Sequence, residues 1–178
     1  MKVKHYDNIL VGDYQFHESV SKEVQSLFAK GVKTIPKERS NVKASVHTEW
    51  DWDPDNITFR NLKEFIRREI ERNYNPGKVI GGLIDPLKCV NFWGMVYHKG
   101  DYALEHDHVG SLYSFAYFVS AKWYYSPLIL SDSGKRIRPK EGRYVIFPGH
   151  LKHYVPKHRY NEPRITISGN FNLTFGHS

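Results

Sequence analysis

The residues with the spacing for chemistry are Glu105-His106-Asp107-His108. In a strand, side chains two apart share a face, so His106 and His108 can present both imidazoles to one point while Asp107 faces away. A third ligand has to come from elsewhere, and Phe147-Pro148-Gly149-His150-Leu151-Lys152-His153 offers two histidines. His153 is the better candidate, because Leu151, His153 and Val155 alternate on an apolar, inward-facing side; His150 belongs to the Pro-Gly turn. Three imidazoles suit a borderline metal such as Fe(II) and leave coordination positions open for substrate and oxygen. A lone histidine is more often a surface or satisfied core residue, and a chain with ten of them makes chance pairs common. Context separates this set: the pair closes one expected strand, and the third histidine opens another.

A second constellation is Arg164-Ile165-Thr166-Ile167-Ser168. Arg164 shares a face with Thr166 and Ser168, opposite the isoleucines. On an exposed face it would be an ordinary surface charge. If that face lines the metal site, an arginine with a neighbouring hydroxyl suits a carboxylate, held by bidentate, charge-assisted hydrogen bonds.

Strands must position these groups, and the pattern from Lys88 onward supplies them. Short apolar and aromatic runs, separated by Gly, Pro and Asp, predict strands at Lys88–His98, Tyr102–His108, Tyr113–Ser120, Leu128–Ser131, Arg143–Phe147, His153–Pro156 and Arg164–Thr174. So many short strands without intervening helices predict a sandwich or barrel rather than a βαβ fold. Ahead of them, Val20, Val24, Leu27 and Phe28 mark a helix over Ser19–Ala29, stopped by Gly31. Leu62, Phe65, Ile66 and Ile70 mark a second over Thr58–Tyr74, ended by Asn75-Pro76-Gly77. The Arg67, Arg68, Glu71 and Arg72 face of this helix reads as its solvated side. Pro36–Asn41 reads as loop and Val42–Trp52 as extended. The expectation is one domain over residues 1–178: a helical and strand support region over 1–87, then a jelly-roll core over 88–175 that carries the metal site.

Composition sets the outer bounds. Hydrophobic residues make up 40% of the chain and aromatics 15%, which is a globular composition with a bias toward strands. Cys89 is alone, so no internal disulfide is possible. No apolar run follows Lys2 and Lys4, and no stretch is long enough to span a bilayer, so a cytoplasmic location without membrane contact is expected. The net charge of +7 is spread along the chain and reads as a solvated surface, although acidic partners would be favoured.

Taken together these motifs resemble the Fe(II)- and 2-oxoglutarate-dependent oxygenase superfamily, in its prolyl-hydroxylase-like branch. That pattern has an H-x-D/E pair, a distal His and then an Arg or Lys; here His153 stands 47 residues after His106, and Arg164 stands 11 after His153. Asn91-Phe92-Trp93, Gly100, the His106-Asp107-His108 segment leading into Ser114–Val119, and Phe147, Pro148, Leu151, His153, Val155 and Pro156 resemble small oxygenases of bacterial and phage type. The resemblance covers roughly half of the chain and implies a double-stranded β-helix (jelly roll, cupin-like), mainly β, with two flanking N-terminal helices. It also implies iron on His106 and His153, with Arg164 on the distal carboxylate of 2-oxoglutarate and Tyr117 sharing that carboxylate. Tyr97 would reach the cosubstrate's other end, and Asn91 could do likewise; Thr166 is the hydroxyl that the strand pattern already sets on the face of Arg164.

One departure stands out. The superfamily's carboxylate ligand falls where this chain has His108, so the iron would have three histidines unless a bulge turned Asp107 inward. Two rivals follow: a three-His dioxygenase that works without 2-oxoglutarate, and a non-enzymatic binding module lined by Trp93, Trp123, Tyr124 and Tyr125. Trp50-Asp51-Trp52-Asp53 is expected to shape an entrance. The substrate, whether protein side chain, nucleic acid base or small metabolite, and the oligomeric state are not legible in the sequence.

Overall fold

The computed structural model describes residues 8–74, 76 and 87–174. Among the described residues, two α-helices, a 3-10 turn at Lys37–Arg39 and eleven strands are found, the strands in two antiparallel sheets with the α-helices on the outer face of the larger one. The elements run β1 (Leu10–Asp13), α1 (His17–Lys30), β2 (Val42–Lys43), β3 (Val46–His47), α2 (Ile57–Tyr74), β4 (Leu87–Tyr97), β5 (Tyr102–His106) and β6 (Tyr113–Ser120). They continue with β7 (Leu128–Leu130), β8 (Arg136–Ile137), β9 (Arg143–Pro148), β10 (His153–Val155) and β11 (Arg164–Leu173). The large sheet has the order β1-β9-β6-β11-β4-β3, and the small sheet β2-β5-β10-β7-β8.

α2 forms because its apolar residues recur at helical spacing, and all four that face inward, Phe59, Leu62, Ile66 and Ile70, are fully buried. Asn56 caps it: its Oδ1 accepts the backbone N–H groups of Thr58 at 3.1 Å and Phe59 at 3.2 Å. On the solvated side, Arg67 bridges Glu64 and Glu71. The expected stop at Asn75-Pro76-Gly77 lies, at Asn75 and Gly77, outside the described residues.

Alternation along the large sheet divides the core in two. Phe92, Phe115, Tyr117, Val119, Ile146, Ile167 and Phe171 pack with α1 and α2 on one side. Trp93, Met95, Tyr97, Ala116, Phe118, Val145 and Phe147 face the small sheet's Ala103, Leu128, Ile137 and Val155 on the other. The second layer is the barrel interior, and the site lies there. β11 is central to it, pairing Arg164, Thr166, Ser168 and Asn170 with Tyr97, Met95, Trp93 and Asn91 of β4.

The expected strands lie within two residues of those found, with two additions, β1 and β8. The expected extended segment Val42–Trp52 is divided between the sheets: β2 pairs with β5, and β3 with β4. The strand expected to run to His108 stops at His106.

Candidate metal centre

His106 and His153 face one another across the small sheet as Cα partners in the β5–β10 register. Their ring centroids are 4.4 Å apart, and the His108 ring lies 5.1 Å from each. One ligand atom from each of the three falls within 4.8 Å of the others, close enough for all to reach one ion. Among the described residues, this is the group of histidines and acids so placed.

Hydrogen bonding sets the tautomers. His106 Nδ1 lies 2.7 Å from the Leu104 carbonyl, and His153 Nδ1 lies 2.9 Å from the Leu151 carbonyl. A carbonyl can only accept, so both rings carry their proton on Nδ1 and leave the Nε2 lone pair free for a ligand. Burial lowers the pKa of all three rings. His108 is brought down to about 3, with His153 and His106 adding to the effect, and His153 to about 4, with His106 adding. Neutral imidazoles are the form that binds metal.

His108 reaches the cluster by another route than strand alternation. It lies in the loop after β5, where its N–H donates to the Gly149 carbonyl at 2.7 Å and its own carbonyl accepts from Ser111 at 2.9 Å. The Gly149 N–H donates to Leu112 at 3.0 Å. The loop is thus stapled to the Pro148-Gly149 turn that leads to His153. Asp107 is not among the clustered ligand atoms: its Oδ1 accepts the Val109 N–H at 3.1 Å, while its charge opposes the lowering of all three histidine pKa values. His150 is exposed at the turn.

Arg164 is 2% exposed, on the interior face of β11. Its guanidinium is sandwiched between aromatic rings, 4.8 Å from the Tyr97 centroid and 5.3 Å from that of Phe118. Burial pulls its pKa below the ordinary value, and Tyr97 opposes the shift. Its Nε and Nη1, and the hydroxyl of buried Thr166, find no hydrogen-bond partner among the described residues. A buried cation with free donors, on the same strand face as a free hydroxyl, has the charge and the donors to take an anion.

The expected companions divide. Tyr97 joins the interior; its hydroxyl lies 3.6 Å from Met95 Sδ, and burial raises its pKa. Asn91 lies at the mouth, where its Oδ1 accepts from Asn170 Nδ2 at 3.2 Å. With Trp50, Asp107, His108, Val109, Ser111 and Asn170 it lines an open cavity of about 450 Å³. Tyr117 must be corrected: it points into the helix-side core, with its hydroxyl 2.7 Å from His17 Nδ1, and cannot share an anion with Arg164. Phe118, one residue on, takes the place beside the guanidinium. The sequence reading missed His47, which is buried on β3 opposite Met95 with its ring parallel to Trp93 at 6.1 Å. No motif announced it.

No family model matches the chain, and no curated protein matches it in sequence. Solved structures do match in shape. The viral collagen prolyl hydroxylase of Paramecium bursaria Chlorella virus-1, as its 2OG complex, superposes with a TM-score of 0.69 at 14% identity, covering 92% of this chain and 94% of that one. A prolyl-4-hydroxylase from Pseudomonas putida gives 0.69 at 14% identity, over 93% and 92%. HygX from Streptomyces hygroscopicus, with nickel and 2-oxoglutarate bound, gives 0.67 at 12% identity, over 95% and 84%. The two facing sheets, the flanking helices and these likenesses give one conclusion: the chain has the double-stranded β-helix fold of the 2-oxoglutarate- and iron-dependent oxygenases.

Proposed function

We propose that this protein is an Fe(II)- and 2-oxoglutarate-dependent oxygenase. The observation that carries the reading is the pairing, inside one barrel, of a three-histidine cluster with a buried Arg164 whose Nε and Nη1 have no partner among the described residues. A guanidinium without an anion is costly to bury, so its retention here argues for a carboxylate ligand. His106, His108 and His153 would hold the iron through neutral rings, two of them already oriented by the carbonyl two residues earlier in the chain. Arg164, with Thr166 beside it, would hold the far carboxylate of 2-oxoglutarate, and Tyr97 and Phe118 would keep that end dry. Asn91 lies nearer the mouth, where it could meet the other end of the cosubstrate or the substrate. Iron with 2-oxoglutarate supplies oxidation of the substrate by O2, coupled to decarboxylation to succinate.

Among the neighbours in fold, one is a 2OG complex and another has nickel and 2-oxoglutarate bound, and both support the reading. One observation favours a second one: a histidine, His108, completes the set in place of a carboxylate. Such a site could serve a dioxygenase that uses no 2-oxoglutarate, with Arg164 binding a substrate carboxylate. A cytoplasmic location goes with either, in line with the single, unpaired Cys89; among the described residues no helix is long and apolar enough to cross a membrane.

Anaerobic titration with Fe(II) in the presence of 2-oxoglutarate tests the proposal. The expected result is the visible charge-transfer band of chelated cosubstrate, lost in His153→Ala and in Arg164→Met, and succinate on admission of air. Iron binding without band or succinate would overturn it in favour of the second reading.

A further inference from the structure

Beside the three-histidine cluster lies a second group of rings that the proposed chemistry does not use. His47 and Trp93 are each 3% exposed, and their planes are within 3° of parallel at 6.1 Å. The Trp93 ring lies 5.9 Å from that of His108, so this pair adjoins the candidate metal centre. His47 Nδ1 lies 2.7 Å from the Thr48 carbonyl, which fixes the proton on Nδ1 and leaves Nε2 as a bare acceptor. Burial lowers its pKa, which keeps the ring neutral. Thr48 is itself fixed, its Oγ1 accepting the Gly94 N–H at 2.9 Å and donating to the Glu49 carbonyl at 3.0 Å. The ring is therefore held in place.

The other half of each group is left open. His47 Nε2 and Trp93 Nε1–H are both buried without a partner among the described residues. Native interiors seldom leave such atoms unmatched, and an acceptor and a donor on neighbouring rings form a complementary pair for one ligand group. Access is through Trp50, which packs edge-on against both rings, 4.7 Å from His47 and 4.9 Å from Trp93. Trp50 is 41% exposed and lines the mouth cavity with His108 and Asn91. It is thus at once the wall of the mouth and the cover of the pair.

We propose that His47 and Trp93, covered by Trp50, form a substrate-orienting subsite that takes an amide group. The amide N–H donates to His47 Nε2, and its carbonyl accepts from Trp93 Nε1–H. The free acceptor and the free donor sit on separate rings, their centroids 6.1 Å apart, and a group with donor and acceptor on separate atoms matches such a pair better than one hydroxyl oxygen. That the amide belongs to the substrate rests on the oxygenase reading; the binding of an amide by this pair does not.

The test follows the indole N–H resonances of the four tryptophans in ¹⁵N-labelled full-length protein, with Trp93 assigned through Trp93→Phe. The probes are acetamide and N-methylacetamide, with acetone as the control that accepts but cannot donate. The expected result is a saturable downfield shift of the Trp93 N–H by an amide, with affinity ~tenfold weaker for acetone and in His47→Leu, as for loss of one hydrogen bond. Preference for N-methylacetamide identifies a peptide bond, and preference for acetamide a carboxamide. A Trp93 resonance that no amide moves, or that acetone moves equally, overturns the proposal even if His47→Leu does not fold. Repeating the titration with Zn(II) and 2-oxoglutarate separates the two readings. A shift that survives supports a substrate subsite, and one abolished by 2-oxoglutarate overturns the substrate assignment. The shift itself needs neither metal nor turnover, so a protein that fails as an oxygenase can still pass or fail here.

Discussion

The backbone N–H of His108 donates to the carbonyl of Gly149 at 2.7 Å, tying a histidine that no strand holds to the turn that precedes His153. A Cβ at position 149 would stand 2.2 Å from the Ser111 carbonyl oxygen and 2.9 Å from that of His108. Gly149→Ala must therefore push the loop away. We expect a cost of about 1–3 kcal/mol in stability, typical of overpacking, with a larger proportional loss in metal affinity. Thermal melts beside Co(II) titrations would check it; unchanged affinity would mean that the staple does not position His108.

Arg164 gives an opposite pattern. Replacing a buried cation that has no carboxylate partner among the described residues by an apolar side chain of similar length removes a charge that Tyr97 only partly offsets. Arg164→Met should be neutral or more stable by about 1–4 kcal/mol without ligand, yet lose response to 2-oxoglutarate. Denaturant melts with and without 2-oxoglutarate would show both effects. Retained stabilisation by 2-oxoglutarate would remove Arg164 from the cosubstrate site.

The two candidates for the third iron ligand separate cleanly. Asp107 is engaged with the Val109 N–H, whereas His108 faces the other rings. Asp107→Asn should leave Fe(II) affinity within about twofold, and His108→Ala should lower it by at least ~tenfold, in keeping with one lost ligand. Isothermal titration under anaerobic conditions decides between them, and the reverse order would make Asp107 the ligand.

Asp101 ties the β4–β5 turn to the β2–β3 turn: its Oδ2 accepts from the Ser45 N–H at 2.6 Å, the Ser45 hydroxyl at 2.5 Å and the His98 N–H at 2.9 Å. Burial pushes its carboxyl pKa up, but these bonds and the charge of Lys37 outweigh that and lower it. A pKa lower in the folded than in the unfolded chain stabilises above the unfolded value and is lost as pH falls through the folded one. Wild-type stability should therefore drop below about pH 4, and Asp101→Asn should be less stable at pH 7 by about 1–3 kcal/mol with a flatter acid limb. Equal acid limbs in the two proteins would refute the assignment.

The sequence was most legible where pattern and chemistry agree. Alternation through Leu151, His153 and Val155 separates inward His153 from exposed His150. It fails in β6, where Tyr113–Ser120 is apolar on both faces because helices cover one side and the barrel core the other. With both faces alike, periodicity cannot tell Tyr117 from Phe118, and the resemblance favoured the residue that points away. His108 joins the cluster from a loop, although strand alternation is what brings it beside His106 in the sequence. β1 and β8 are too short for a periodic signal, and His47 sits in a two-residue strand whose partners come from distant parts of the chain.

His106 and His153 each donate to the carbonyl two residues earlier, within the matching tripeptides Leu104-Glu105-His106 and Leu151-Lys152-His153. Each ring is aimed by its own peptide, and the sheet register only has to bring two finished units face to face. An ion bound there would find these two rings already aimed, so the choice among iron, cobalt, nickel and zinc would fall largely to the ion's own coordination preferences and to its supply. Such a centre, if it holds metal, would take a redox-silent substitute as readily as iron, which would make it open to trapping of ligand complexes and vulnerable to mismetallation.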